Sequence, residues 1–177
     1  MLKKTLVWLL IVALLPLSFV YGVKALSNLT VSASPNTVNQ VATYTITFNT
    51  TYGVDTSHHI TITFPSGFYV PATIPANTIR INGIFITSPI NSLGTSLGTS
   101  IVLTPPQNVG TYCQITIFSG AGIKNPAVGG TYTISVSTDT SESPNTLFYN
   151  LSIQSAVSNV SVSVNPLSAG AVAEYWI

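Results

Sequence analysis

Five residues, Asp55-Thr56-Ser57-His58-His59, bring an acid, a hydroxyl and two imidazoles within one turn of chain. Those are the side chains of a hydrolytic triad, in which a base activates a nucleophile and an acid orients the base. Triads, however, are assembled by folding, with the nucleophile on a rigid turn beside an oxyanion hole, and consecutive residues cannot supply that geometry. Nor do adjacent histidines suit a metal, because successive strand residues point to opposite faces. DTSHH is therefore expected to be a polar loop leading into a strand at Ile60. A second acidic loop, Asp139-Thr140-Ser141-Glu142, has too few oxygen-bearing acids nearby for a calcium cage and reads as a solvated turn or a weak cation site. The lone Cys113 has no disulfide partner in the chain and is expected to be a buried strand thiol. No catalytic residue, cofactor or metal ligand is expected.

Composition narrows the class further. Charged residues make up 5% of the 177 and hydrophobic ones 46%, so hydroxyl and amide side chains must supply most of the polar surface. Lys3 and Lys4, the apolar run LVWLLIVALLPLSFV and Val23-Lys24-Ala25 have the layout of a secretory signal over residues 1–25, with cleavage after Ala25 or at Gly22. An uncleaved membrane anchor is the alternative, since the apolar run falls only a little short of a spanning helix. Beyond Ala25, Arg80 and Lys124 face Asp55, Asp139, Glu142 and Glu174, a net charge of −2 that leaves no basic footprint for nucleic acid. The destination is thus the cell exterior, with any membrane contact limited to the N-terminal segment.

The elements that must position these residues are strands. Apolar and Ser/Thr residues alternate with period two at 29–33, 42–48, 60–64, 79–81, 84–86, 101–103, 111–118, 131–136 and 147–153. Asn82-Gly83 between IRI and IFI is the signal of a type I′ hairpin. Pro and Gly clusters mark the other reversals. The low-complexity SLGTSLGTS, residues 92–100, reads as a flexible surface loop. About eight short strands at this spacing predict an all-β, immunoglobulin-like antiparallel sandwich over residues 26–157, behind an N-terminal hydrophobic helix.

FSGAGIKNPAVGGTYTISVSTDT, residues 118–140, resembles a module of large bacterial and archaeal cell-surface and S-layer-associated proteins. Its Gly120, Ala121, Gly122, Ile123, Asn125, Pro126, Gly130, Thr131, Tyr132 and Thr133 match that module's Gly-Ala-Gly-Ile-x-Asn-Pro turn and following Gly-Thr-Tyr-Thr strand. ITFPSGFYVP and INGIFI resemble its Phe-Pro strand end and Asn-Gly hairpin. The resemblance implies a structural or adhesive repeat at the cell envelope, partnered by neighbouring copies or other envelope proteins, without catalytic residues to carry over.

The chain also repeats itself. The nineteen residues from Asn159 lie without a gap under those from Asn28, matching at Asn28/Asn159, Val31/Val162, Ser32/Ser163, Pro35/Pro166, Val41/Val172, Ala42/Ala173, Tyr44/Tyr175 and Ile46/Ile177, an offset of 131. A period of that length is a domain. Residues 158–177 are thus expected either to open a second, truncated copy in a tandem array, or to act as a donor strand, through Val160, Val162, Ala173, Tyr175 and Ile177, that completes a neighbouring subunit's sheet in a filament. Asn28, Asn49, Asn150 and Asn159 open Asn-x-Ser/Thr sequons, candidates for N-glycosylation. Tyr52, Phe68 and Tyr69 offer a third expectation, a stacking platform for glycans in an accessory domain of a secreted enzyme.

Overall fold

In a computed structural model, which describes residues 25–142, 145–156, 163–165 and 174–176, the chain is all-β. The strands are β1 Ser27–Ser34, β2 Thr43–Asn49, β3 Ile60–Pro65, β4 Thr73–Ile74, β5 Ile79–Ile81, β6 Ile84–Phe85, β7 Ile90–Thr95, β8 Gly98–Leu103, β9 Tyr112–Ile117, β10 Gly130–Thr138 and β11 Thr146–Ile153. They form two antiparallel sheets, one of five strands in the order β1-β2-β9-β5-β6, the other of six in the order β11-β10-β3-β8-β7-β4. A 3-10 turn at Ser119–Ala121 is the single helical element among the described residues. The expected N-terminal helix and signal, and Asn159, Val160, Val162, Ala173 and Ile177, lie outside the described residues.

Period two explains the packing. Along β2 the burial alternates at every residue, with Tyr44, Ile46 and Phe48 turned inward and the threonines outward. β3 does the same from the opposing sheet with Ile60, Ile62 and Phe64. These residues join Ile79, Ile81, Ile101, Leu103, Cys113, Ile115, Ile117, Ile134 and Val136 in one continuous core. Each such side chain removed from water is worth about 1.5–3 kcal/mol. The outward faces are zipped by hydroxyls: Thr30 Oγ1 lies 2.7 Å from Thr47 Oγ1, and Thr63 Oγ1 lies 2.8 Å from Ser100 Oγ. Cross-strand hydroxyl pairs of this kind let a sheet face stay polar with few charges.

The Asn-Gly hairpin forms as its sequence predicts. Asn82 and Gly83 take φ 47° and 87° between β5 and β6, and Asn82 also exchanges hydrogen bonds with the backbone of Tyr112 and Gln114 on β9. SLGTSLGTS, in contrast, is not a loop. It is the β7–β8 hairpin, paired Ser92↔Ile101 through Thr95↔Gly98 around Ser96-Leu97. Pairing against β3 overrides the weak strand propensity of Gly and Ser. Gly98 is required there: at φ 143°, a Cβ would stand 1.9 Å from the Phe64 carbonyl oxygen. With β4 and β7 added, the sandwich has more strands than the eight expected.

The connections give the molecule two distinct ends. At the leading end, where the described chain begins, the Ala25 amide donates to Thr51 Oγ1 and the loops at 50–59, 104–111 and 139–142 gather. At the trailing end lie the connections at 35–42, 66–70 and 118–129 and the exit from β11. There Thr37 makes a parallel bridge to Gln154, so the chain leaving β1 crosses to the edge of the other sheet. Beyond β11, β12 Ser163–Asn165 and β13 Glu174–Trp176 form a two-stranded sheet of their own. Their register, Ser163↔Trp176, Val164↔Tyr175 and Asn165↔Glu174, is that of Ser32↔Thr45, Ala33↔Tyr44 and Ser34↔Thr43 in β1–β2, displaced by the sequence offset of 131.

Candidate functional site

The carboxylates and imidazoles of the sandwich collect at the leading end. Asp55 Oδ1 accepts from the Ser57 amide at 2.8 Å, the Ser57 hydroxyl at 2.6 Å and His58 Nδ1 at 2.8 Å. His59 is tied across the sheet instead: its amide donates to Asp139 Oδ1 at 2.7 Å and its Nδ1 to Asp139 Oδ2 at 2.8 Å. Each imidazole thus serves a different acid. Groups of three or more His, Cys, Asp or Glu side chains arranged to hold a metal ion do not occur among the described residues.

The chemistry of the DTSHH cluster follows from which atoms meet. In a triad the acid and the nucleophile engage opposite nitrogens of the ring, so that a proton passes from hydroxyl to imidazole. Here Ser57 gives its hydroxyl proton directly to Asp55, and His58 reaches the same oxygen through Nδ1. The carboxylate is the hub and the serine is spent on it. The Ser57 hydroxyl, then the His58 ring and the Ser57 amide, hold the Asp55 carboxyl down at about 2. Partial desolvation pushes Asp139 upward, but the hydrogen bonds of the His59 amide and ring, with the field of both imidazoles, outweigh it and leave the carboxyl below its ordinary value. Both acids are loop ties, Asp55 within the polar loop entering β3 and Asp139 between that loop and the end of β10.

Glu142 departs from expectation. Rather than sitting in a solvated turn it is buried, 5% exposed, with Oε1 accepting from the amides of Thr51 and Tyr52 and Oε2 from the Thr140 hydroxyl. It closes the 139–142 loop onto the end of β2, an arrangement the Ser/Thr-rich sequence around it conceals. Beside it a recess of about 300 Å3 is lined by Tyr52, Asp55, His58, Asn108, Val109 and Thr140. A larger one of about 440 Å3, lined among others by Ile86, Ser88, Pro89, Thr104 and Pro106, holds no titratable side chain.

The trailing end is built on Asn125 of the GAGIKNP motif, which is 1% exposed. Its Oδ1 accepts from the Tyr44 hydroxyl at 2.6 Å, its Nδ2 donates to the carbonyls of Pro35 at 2.9 Å and Thr37 at 2.8 Å, and its amide donates to the Gln40 carbonyl at 2.8 Å. One side chain therefore latches the chain leaving β1 to Tyr44 at the start of β2. Burial raises the Tyr44 hydroxyl far above its ordinary value, so it remains a donor. Under the latch, Phe68 packs at 5.5 Å from both Phe64 and Tyr132, and Tyr44 meets Phe64 edge to face at 5.3 Å.

That packing decides the aromatic platform. Phe68 is committed to the core edge, Tyr69 is 59% exposed beside it, and Tyr52 stands at the opposite end of the sandwich. The three do not assemble one stacking surface. Of the sequon asparagines, Asn28 is exposed with φ 56°, Asn150 is exposed but engaged by Thr133 Oγ1 at 2.8 Å, and Asn49 is half-buried between Ser27 and Tyr112. Tyr175, from the expected donor strand, lies in β13 opposite Val164. Cys113 is fully buried and free, its thiol pushed up to about 12 by desolvation.

The fold and its ends thus define an all-β protein of two antiparallel sheets with polar ties at one end and an asparagine latch at the other. No protein-family model matches the chain, and no curated protein matches it. Among solved structures the chain is similar to one titled "Crystal structure of BslA - A bacterial hydrophobin", at 14% identity and a TM-score of 0.45, over 75% of this chain and 98% of that one. At that level neither fold detail nor role transfers. No helix among the described residues is long and apolar enough to cross a membrane.

Proposed function

We propose that the chain is a non-catalytic structural or adhesive module of a secreted, cell-surface or S-layer-type protein, arranged in tandem copies. The observation that carries this reading is the tail hairpin, in which β12 and β13 pair in the register of β1 and β2 at the sequence offset of 131. Recurrence of both sequence and register is what a second copy of the domain requires. An immunoglobulin-like arrangement is supported by the neighbours β11-β10-β3 in one sheet and β1-β2-β9 in the other, with the chain after β1 crossing to the β11 edge. The hydroxyl-zipped faces, and the use of Asp55, Asp139 and Glu142 as loop ties, support a spacing or tiling role. The partners are neighbouring modules or other envelope proteins, and the exposed Asn28 makes a glycosylated face part of the reading.

Protease treatment of intact producing cells, followed by immunodetection, tests it. The chain should be shaved from the surface and should begin at or near Ala25. A chain recovered only from the cytosol, with its first 25 residues intact, would sink the proposal.

A second reading is an extracellular filament built by strand donation. It is favoured by β13, which pairs on one side with β12, whereas its counterpart β2 is flanked by β1 and β9. Among the described residues, the outer edge of β13 has no strand against it, and open edges recruit strands. Deleting residues 158–177 separates the two readings: loss of polymers favours the filament, and an unchanged folded monomer favours the tandem array.

A further inference from the structure

Among the described residues the two ends of the sandwich differ in charge and polarity. The trailing end exposes Val41, Tyr69, Leu97 and Val128, at 43%, 59%, 73% and 70%. Lys124, half-buried, pairs through its backbone with Val41 and Tyr69 of this group. The leading end exposes Asp55 and Asp139, each paired with a histidine at 2.8 Å, beside Tyr52 and Tyr112, each 52% exposed, while Glu142 is buried beneath them. Arg80, the other cation of the body, lies 5.0 Å over the ring of Phe118, the first residue of the 118–129 connection, so neither cation stands at the leading end.

Chain path adds a second constraint. Gln154, whose amide donates to the Asn36 carbonyl, is held at the trailing end, and Ser155 packs so closely on Gly129 that a Cβ there would stand 2.3 Å from Ser155 Oγ. At the offset of 131, the next residue, Ala156, is the counterpart of Ala25, which is fixed to Thr51 at the leading end. Two residue steps span about 7 Å at most. A second copy starting at Ala156 must therefore bring its leading end against the trailing end of the first.

We infer that this fold docks on copies of itself head to tail, the Lys124 end of one against the Asp55 and Asp139 end of the next. The inference rests on the tandem reading above and adds the surface and its polarity. Charge selects the arrangement. Two trailing ends together would oppose lysines and two leading ends would oppose carboxylates, whereas head to tail sets opposite charges face to face with the apolar group between. Such a contact is heterologous and does not close, so it extends to as many copies as the chain or the solution supplies.

Sedimentation equilibrium of the exported chain, over a concentration series at low salt, is the test. Lys124→Glu should weaken self-association about tenfold, and Asp55→Lys/Asp139→Lys about as much. Mixed together, the two variants should recover an affinity within about threefold of the parent, because each supplies the end the other lacks. Lys124→Ala, which introduces no new charge, should fall between parent and Lys124→Glu, and circular dichroism should show each variant folded. A chain monomeric at every concentration, variants associating like the parent, or a mixture no tighter than its components would overturn the docking. The tandem reading would survive those results wherever the chain is still found at the cell surface.

Discussion

The two ends of the sandwich hold their loops by different physics. At the trailing end the ties are dry: Asn125 sits 1% exposed with every polar group of its side chain engaged, above the rings of Tyr44, Phe64 and Phe68. At the leading end most ties are wet, with the His58–Asp55 and His59–Asp139 pairs between 38% and 49% exposed, and Glu142 alone goes under cover. Exposed pairs are worth about 0–1 kcal/mol, whereas a buried polar group robbed of its partner costs about 1–3 kcal/mol. The residues that look reactive therefore contribute least to stability, and the residues that look inert contribute most.

The contrast is tested most severely at Gly98. Gly98→Ala places a methyl group 1.9 Å from the Phe64 carbonyl oxygen at a backbone conformation L residues avoid, so β8 must leave β3. A loss above about 3 kcal/mol is expected in urea unfolding, a sizeable fraction of the roughly 5–15 kcal/mol that holds an ordinary domain folded. A loss below about 1 kcal/mol would show that the trailing end yields more readily than its packing implies. Asn125→Ala comes next, at about 2–4 kcal/mol, because it strands the Tyr44 hydroxyl and two carbonyls. Tyr44→Phe removes one bond of the same latch, leaves Oδ1 unpaired and should cost about 1–2 kcal/mol. Coupling between the two in a double-mutant cycle measures the latch itself.

How much of this was legible beforehand depends on distance along the chain. β2, β3 and the Asn82-Gly83 hairpin are written in adjacent residues, as alternation and as a turn dipeptide, and they form where the pattern puts them. GAGIKNP is visible as a motif, but the work of Asn125 depends on Pro35, Thr37, Gln40 and Tyr44, more than 80 positions away, and no local pattern encodes that. SLGTSLGTS misleads because its strand state comes from β3 and not from its own residues. The immersion of Glu142 is hidden for the same reason. At the leading end, the loop conformation of DTSHH ahead of β3 was legible, since it rested on local spacing, while the partnership of His59 with Asp139 was not.

Glu142 is where the contrast sharpens, being a dry tie at the wet end. Glu142→Ala frees the amides of Thr51 and Tyr52 and should cost about 1–3 kcal/mol, loosening the loop that also anchors Ala25. Glu142→Gln keeps an acceptor for the two amides and gives up the one serving Thr140, so about 1 kcal/mol is expected. Hydrogen exchange at Thr51 and Tyr52 would read this directly: faster in the alanine variant, near the parent rate in the glutamine one.

The smallest effect belongs to the aspartates and shows as a dependence on pH. The Asp55 carboxyl is held at about 2 in the fold, below the roughly 3.9 of an unfolded chain, and Asp139 is displaced in the same direction. A depressed folded value means the stabilisation is fully present above the unfolded value and disappears as pH falls through the folded one. The urea midpoint of the parent should therefore drop between about pH 4 and pH 2. Asp55→Asn/Asp139→Asn should start slightly lower at neutral pH and lose less over that interval. Both carboxylates are solvated, so the difference should shrink as salt is raised. Parallel profiles for parent and variant would mean that the acid sensitivity comes from elsewhere, with Glu142 the next carboxylate to replace.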